Sequence, residues 1–215
     1  MGNYRIFYGL ALLPLVAVIL FAALRPLKVL PRIRISPGYL LVDQNGNRVS
    51  SEEMRGQITL YGFTSTDCGL PCAGSEELMD DVAAQIDSQS DVPVELVMIA
   101  VDEQELLPDA LRAYALDRGI EPSRRLLTGD AQQVKVVVGG GFNTFYERDS
   151  SGQLQLDKAL MLVDGLGILR AEYRGRLPST SAILRDIDLL TQEARNSTGL
   201  TRYAYEAAHL FLCYP

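Results

Sequence analysis

The sequence predicts an α/β domain carried on a single N-terminal transmembrane helix. Three observations lead there: a 19-residue run without charge from Ile6 to Leu24, an alternation of strand-like and helix-like segments between Ile58 and Arg118, and a strand–turn–strand signature from Ala159 to Tyr173. A chain of 215 residues, less an anchor, is long enough for one well-filled core and too short for two ordinary domains. The expected division is an anchor over 1–25, a proline-rich connector over 26–37, the folded domain over 38–195 and a tail over 196–215.

A bilayer core needs about 20 apolar residues, so IFYGLALLPLVAVILFAAL is read as a spanning helix. It exceeds the apolar core of a cleaved signal peptide, about 7–15 residues, and no Ala-x-Ala pattern precedes Arg25. Pro14 within it is tolerated as a kink. Arg25, Lys28, Arg32 and Arg34 follow the run while only Arg5 and the terminal amine precede it, and this bias alone would put the domain in the cytoplasm. The cysteine pair, with the family resemblance described below, points to the extracytoplasmic side, which is the side expected. Pro26, Pro31 and Pro37 disfavour a helix after the anchor, and the connector reads as a stiff, extended spacer.

The domain opens with a small hairpin: Tyr39–Val42 is strand-like, and Gln44-Asn45-Gly46-Asn47 supplies the positive φ that tight turns demand. Ile58–Phe63 is apolar enough for a buried strand. Pro71 then fits the first turn of a helix whose face is Leu78, Met79, Val82, Ala83 and Ile86. Val94–Val101 repeats the buried-strand pattern, and Pro108–Arg118 is a helix marked by Leu111, Tyr114 and Ala115 and stopped by Gly119. Ala159–Val163 and Ile168–Tyr173 flank the turn Asp164-Gly165-Leu166-Gly167, which makes an antiparallel hairpin, and Ile183, Ile187 and Leu190 mark a closing helix. Asp149–Gln155 reads as an exposed polar loop, and Tyr203, Ala207, Leu210 and Phe211 as one side of a short tail helix packed on the domain.

A formal net charge of −7 argues against nucleic acid as a partner, because phosphate neutralisation needs clustered Lys and Arg. The chemistry of the chain is concentrated in Cys68-Gly69-Leu70-Pro71-Cys72. The loop follows a buried strand and leads into a helix, whose unsatisfied N–H groups and dipole favour thiolate over thiol. A three-residue spacer closes as a disulfide or cradles one soft metal ion, and spacing alone leaves both open, with a static bridge as the plain alternative. Cys213 and His209, the single histidine, lie in the tail and read as packed or inert. The Asn196-Ser197-Thr198 sequon matters only where a glycosylation system is present.

Within Ser36–Leu190 the chain carries four blocks in order: LLVDQNGNRVSSEEMRGQITLYGFTSTDCGLPC, VMIAVDEQELLPDALRAYALDRG, LLTGDAQQV and DKALMLVDGLGILRAEYRG. Together they resemble the SCO/SenC family of membrane-anchored factors for assembling the copper centres of cytochrome c oxidase. The resemblance implies a thioredoxin-like fold. It also implies a copper site built from the two cysteines of a C-x-x-x-C loop and a later histidine. The cysteines carry over to Cys68 and Cys72, whereas Lys158 stands at the position matching the histidine. A protonated lysine has no lone pair to donate. Near the cysteines its charge would lower a thiolate pKa. Pro71 also precedes the second cysteine where the family has proline after it.

The leading expectation is therefore a SCO-like factor acting on a respiratory oxidase or electron-transport complex, with Cys68 and Cys72 as the catalytic pair in thiol–disulfide exchange. One alternative is a Cu(I) carrier with the same two ligands and His209 or a partner residue as the third. The other is an anchored, non-catalytic subunit of a membrane respiratory complex.

Overall fold

The computed structural model describes residues 28–86, 92–102, 106–120, 124–199 and 201–211, with four isolated positions before them. Most of the expected anchor lies outside the described residues. Tyr8, Leu12, Leu13 and Val16, the positions described within it, are helical and exposed. Among the described residues no helix is long and apolar enough to cross a membrane.

The strands are β1 Arg34–Ile35, β2 Leu40–Asp43, β3 Arg48–Ser50, β4 Ile58–Thr64, β5 Val94–Ala100, β6 Arg125–Thr128, β7 Tyr146–Arg148, β8 Leu154–Leu156, β9 Ala159–Val163 and β10 Ile168–Arg174. All but β7 and β8 form one eight-stranded sheet in the order β1-β10-β9-β4-β5-β6-β2-β3. The β4, β5 and β6 strands are parallel, and β9 runs antiparallel against β4. The helices are α1 Gly69–Ala83, α2 Pro108–Asp117, α3 Ala131–Val134, α4 Thr180–Asn196 and α5 Thr201–Phe211, and α3 continues into a π-helical stretch, Lys135–Gly141. This is the mixed α/β arrangement expected of a thioredoxin-like domain.

Strand period divides the core in two. Ile58 and Leu60 of β4, with Leu96, Met98 and Ala100 of β5, face a layer made by Leu78, Met79 and Val82 of α1, Leu111 and Ala115 of α2, and Ile183, Ile187 and Leu190 of α4. Tyr61 and Phe63, with Val97 and Ile99, face the other side, closed by Leu41, Val49, Val138, Phe142 and Leu154, and both cysteine side chains belong to this second cluster. Gly46 has φ +83° in the first hairpin, and Gly119 has φ +62° just past α2, so both punctuating glycines occupy the backbone region that other residues resist.

Three expectations change. The connector is bound to the domain from Val29 onward: Val29 and Leu30 are buried, and β1 adds to the edge of the sheet beside β10. The prolines hold the chain extended, which suits an edge strand as well as a spacer. The polar stretch around Asp149 is only the tip of a ribbon, because β7 and β8 pair through Glu147 and Gln155, and Leu154 is buried. The tail helix packs on the domain as expected, but through Tyr205 and Ala208 and not Tyr203, while the side chains of Leu210 and Phe211 lie outside the described residues. Tyr205 and Ala208 meet Val29, while Tyr203 is 72% exposed. Arg32 fixes that face by donating to Glu206.

Arg170 ties these pieces together. Although buried, it donates to the carbonyls of Leu30 and Pro31, to Asp164 at 2.8 Å, and to Glu193 at 2.8 Å. Glu193 in turn meets His209 Nε2 at 2.8 Å. Entry segment, β-turn, α4 and α5 thus share one buried guanidinium whose charge is matched by carboxylates.

Candidate functional site

β4 delivers the chain to the end of the sheet at Thr64. The turn that follows closes when Cys68 N–H donates to Ser65 O at 3.2 Å, and α1 begins at Gly69. The helix starts two residues before Pro71, which still occupies the first turn, where an N–H has no intrahelical acceptor to lose. Cys68 sits at the N-cap position and Cys72 one turn on, and their sulfurs are joined in a disulfide with Cα atoms 5.7 Å apart. Both residues are buried, at 4% and 1% exposure, so the bond opens only if the loop moves.

Two carboxylates brace the loop, one from outside it and one within it. Asp102, just beyond β5, accepts from Thr66 Oγ1 at 2.7 Å and Thr66 N–H at 3.2 Å, with Ser65 Oγ at 2.9 Å. Asp67, next to Cys68, lies 2.6 Å from Ser65 Oγ and accepts from Arg148 Nη2 of β7 at 2.6 Å. Burial works to raise the Asp67 pKa, but the bonds from Ser65 and Arg148 and the Arg148 charge outweigh it and hold the carboxyl below its ordinary range. Beside the loop a polar cleft of about 350 Å³ opens between β7 and the start of α3, lined among others by Asp102, Lys135, Glu147 and Arg148.

A third carboxylate, Glu76, lies inside the fold one helical turn after Cys72. It accepts from Thr64 Oγ1 and the Tyr114 hydroxyl, each at 2.5 Å, and from Arg118 Nη1 at 3.1 Å. Burial, and then the Glu76 carboxylate, push the Tyr114 hydroxyl up to about 12.

The other singled-out residues separate into two ends of the sheet. Gly62 of β4 pairs with Leu160 of β9, a register that carries Lys158 to the Thr64 end, where the cysteine loop lies. The Lys158 side chain is exposed, and its carbonyl accepts from Gly175 N–H at 2.9 Å. His209 is bonded to Glu193 beside Arg170 and Asp164, at the Ile58 end of β4. A seven-residue strand separates the ends by roughly 20 Å, so His209 is not a third ligand for Cys68 and Cys72. Cys213 lies outside the described residues. Among the described residues no group of three or more His, Cys, Asp and Glu could hold a metal ion.

Sequence reasoning did not single out Asp67, Glu76, Asp102 or Arg148. A signal existed for Asp102: it is the first charge after the buried run Leu96–Val101, at the sheet end where the loop must lie. For Glu76 the signal was its place one turn after Cys72 on the same helix face.

Residues 29–192 match the SCO1/SenC family. The chain belongs to the SCO1/SenC family. A SCO2-like protein of Rickettsia prowazekii is 31% identical over 120 residues, covering 56% of this chain and 57% of that protein, so the match spans a little over half the length of the relative. Among solved structures, Arabidopsis thaliana ScoI with copper bound superposes with a TM-score of 0.61 at 21% identity, covering 75% of this chain and 98% of that one. BsSco, a member of the Sco family of cytochrome c oxidase assembly proteins in which a disulfide switch was identified, superposes with a TM-score of 0.62 at 19% identity, covering 75% and 96%. The thioredoxin-like fold of the Sco proteins is thus the fold of this chain.

Proposed function

We propose that the protein is a membrane-anchored SCO factor that serves a respiratory oxidase during copper-centre assembly, by thiol–disulfide exchange at Cys68 and Cys72. The observation that carries this reading is the pairing of the two sulfurs in one bond at the N-terminus of a 15-residue helix. When the bond is open, that helix end stabilises a thiolate. The thiolate attacks a sulfur of a partner disulfide, a mixed disulfide forms and one partner thiolate leaves. The second cysteine then attacks the mixed disulfide, which closes Cys68–Cys72 and releases the other partner thiol. Two electrons pass to the partner, and an upstream dithiol reductant must reopen the pair. In this reading Ile6–Leu24 is the anchor, and the domain stands on the extracytoplasmic side, where such exchange is sustained.

A glutathione titration of the full-length chain, with thiols trapped and counted by mass, tests the reading. The expected result is a Cys68–Cys72 pair that passes from bonded to open within the accessible glutathione range. A bond that stays closed throughout is a structural bridge.

A second reading, a Cu(I) carrier, draws support from the copper-bound Sco neighbours. The opened pair offers two soft thiolates, which suit Cu(I). In this reading Lys158 stands where the family places its histidine, so a third ligand comes from the partner. Anaerobic copper titration separates the two readings: a carrier binds one Cu(I) more tightly than its double Cys→Ser variant.

A further inference from the structure

The buried carboxylate behind the cysteine loop has no part in the exchange steps above. Glu76 is 9% exposed, and a buried carboxylate without partners is strongly disfavoured. Its partners come from two elements other than its own helix. Thr64 ends β4, four positions before Cys68, while Tyr114 and Arg118 belong to α2 and its C-terminal cap. Glu76 itself lies on α1 one turn after Cys72, on the same side of the helix. An all-apolar packing of this corner, with Glu76 and its partners replaced together, would serve stability about as well, because buried ion networks seldom stabilise more than good packing does. What the carboxylate adds is geometry: one group holds the strand that leads to the first cysteine, the helix that bears the second, and a neighbouring helix behind both.

We propose that Glu76 is a positioning residue for the cysteine pair, setting how readily the Cys68–Cys72 bond closes by fixing the start of α1 against the end of β4. The inference rests on the thiol-exchange reading. Closure of a dithiol depends on the effective concentration of one sulfur at the other, which rises as the backbone carrying them is held still. Asp102 holds the loop at Ser65 and Thr66, ahead of Cys68. Glu76 holds the far side, beyond Cys72. Freeing that side lowers the effective concentration and makes the bond easier to reduce.

The test is the equilibrium constant of the pair with glutathione, measured on the full-length chain for wild type, Glu76→Gln, Tyr114→Phe and Leu190→Ala. Glu76→Gln keeps the side-chain shape but loses the charge facing Arg118. It is expected to favour the open form fivefold or more, with Tyr114→Phe shifting the equilibrium in the same direction while keeping the ring packed. Leu190→Ala, in the core at the other end of the sheet, lowers the melting temperature and leaves the equilibrium where it was, which separates positioning from general loss of stability. A shift under fivefold for Glu76→Gln, or a shift towards a bond harder to open, overturns the positioning role while wild-type exchange remains intact. A wild-type bond that glutathione never opens overturns the exchange reading and the positioning role with it.

Discussion

Opening the Cys68–Cys72 bond should weaken the fold only modestly. The bond spans a sequence separation of 4 and so closes a loop of about five residues, most of them already helical. Chain-entropy reasoning gives a loop of that size about 2 kcal/mol at 25 °C, close to the lower end for disulfides. The reduced thiols stay in a cluster with Phe63, Ile99 and Leu154, so little apolar surface is lost. For a chain of this length each kcal/mol moves the melting temperature by about 2–4 °C, which places the fall on reduction at about 4–8 °C. Thermal unfolding followed by circular dichroism, with and without a phosphine reductant and with the thiols counted by mass, measures it. A protein that unfolds at 25 °C on reduction would refute the reasoning and mark the bond as a staple for the whole fold. A melting temperature unchanged to within a degree would refute the loop-entropy estimate itself.

Other expectations follow from single residues. Asp102→Ala removes the acceptor of the Thr66 hydroxyl and N–H and should cost about 1–3 kcal/mol in chemical denaturation, while speeding reduction of the neighbouring bond. Leu60→Ala, in the fully buried centre of β4, should cost about 2–5 kcal/mol by the same assay. Burial works to raise the Glu193 pKa, but His209 and Arg170 outweigh it and lower the value from 4.5 to about 2. The sign follows: this stabilisation is whole above about pH 5 and is lost as pH falls towards 2. After allowance for solvent screening it amounts to about 1–2 kcal/mol, and Glu193→Gln should flatten that part of a stability–pH profile. Lys158→His restores an imidazole where the family resemblance places a ligand and should tighten copper binding to the reduced protein at least tenfold in anaerobic titration. An unchanged affinity would show that residue 158 does not face the sulfurs.

Much of this molecule was legible because its periodicities are strong. β4 and the Leu96–Ala100 part of β5 are mainly apolar, buried runs, Gly46 and Gly119 occur where a positive φ was required, and Asp164–Gly167 turns β9 into β10. Short strands without a turn signal such as the Asn-Gly between β2 and β3 were not legible. β6, β7 and β8 have four, three and three residues, too few for a pattern to emerge, and their formation depends on neighbours distant in sequence. The π-helical stretch Lys135–Gly141 was not foreseen either, and its Val137 and Val138 are buried in the core. At the site, the cysteine spacing was plain, but the carboxylates around it were not. Asp102, Glu76 and Asp67 come from three places in the chain, and only the sheet topology brings β4 and β5 to a common end. His209 shows the converse, since its chemistry made it a candidate ligand and the fold placed it a strand's length away.

The most direct test is to trap the covalent intermediate. Cys68→Ser and Cys72→Ser forms of the full-length chain would each be mixed with a peptide disulfide, and any adduct mapped by mass spectrometry, with the double variant as the blank for Cys213. At least one single variant should form a one-to-one adduct at its remaining loop cysteine, released by dithiothreitol. Absence of adduct at both Cys68 and Cys72 would contradict thiol exchange at this pair.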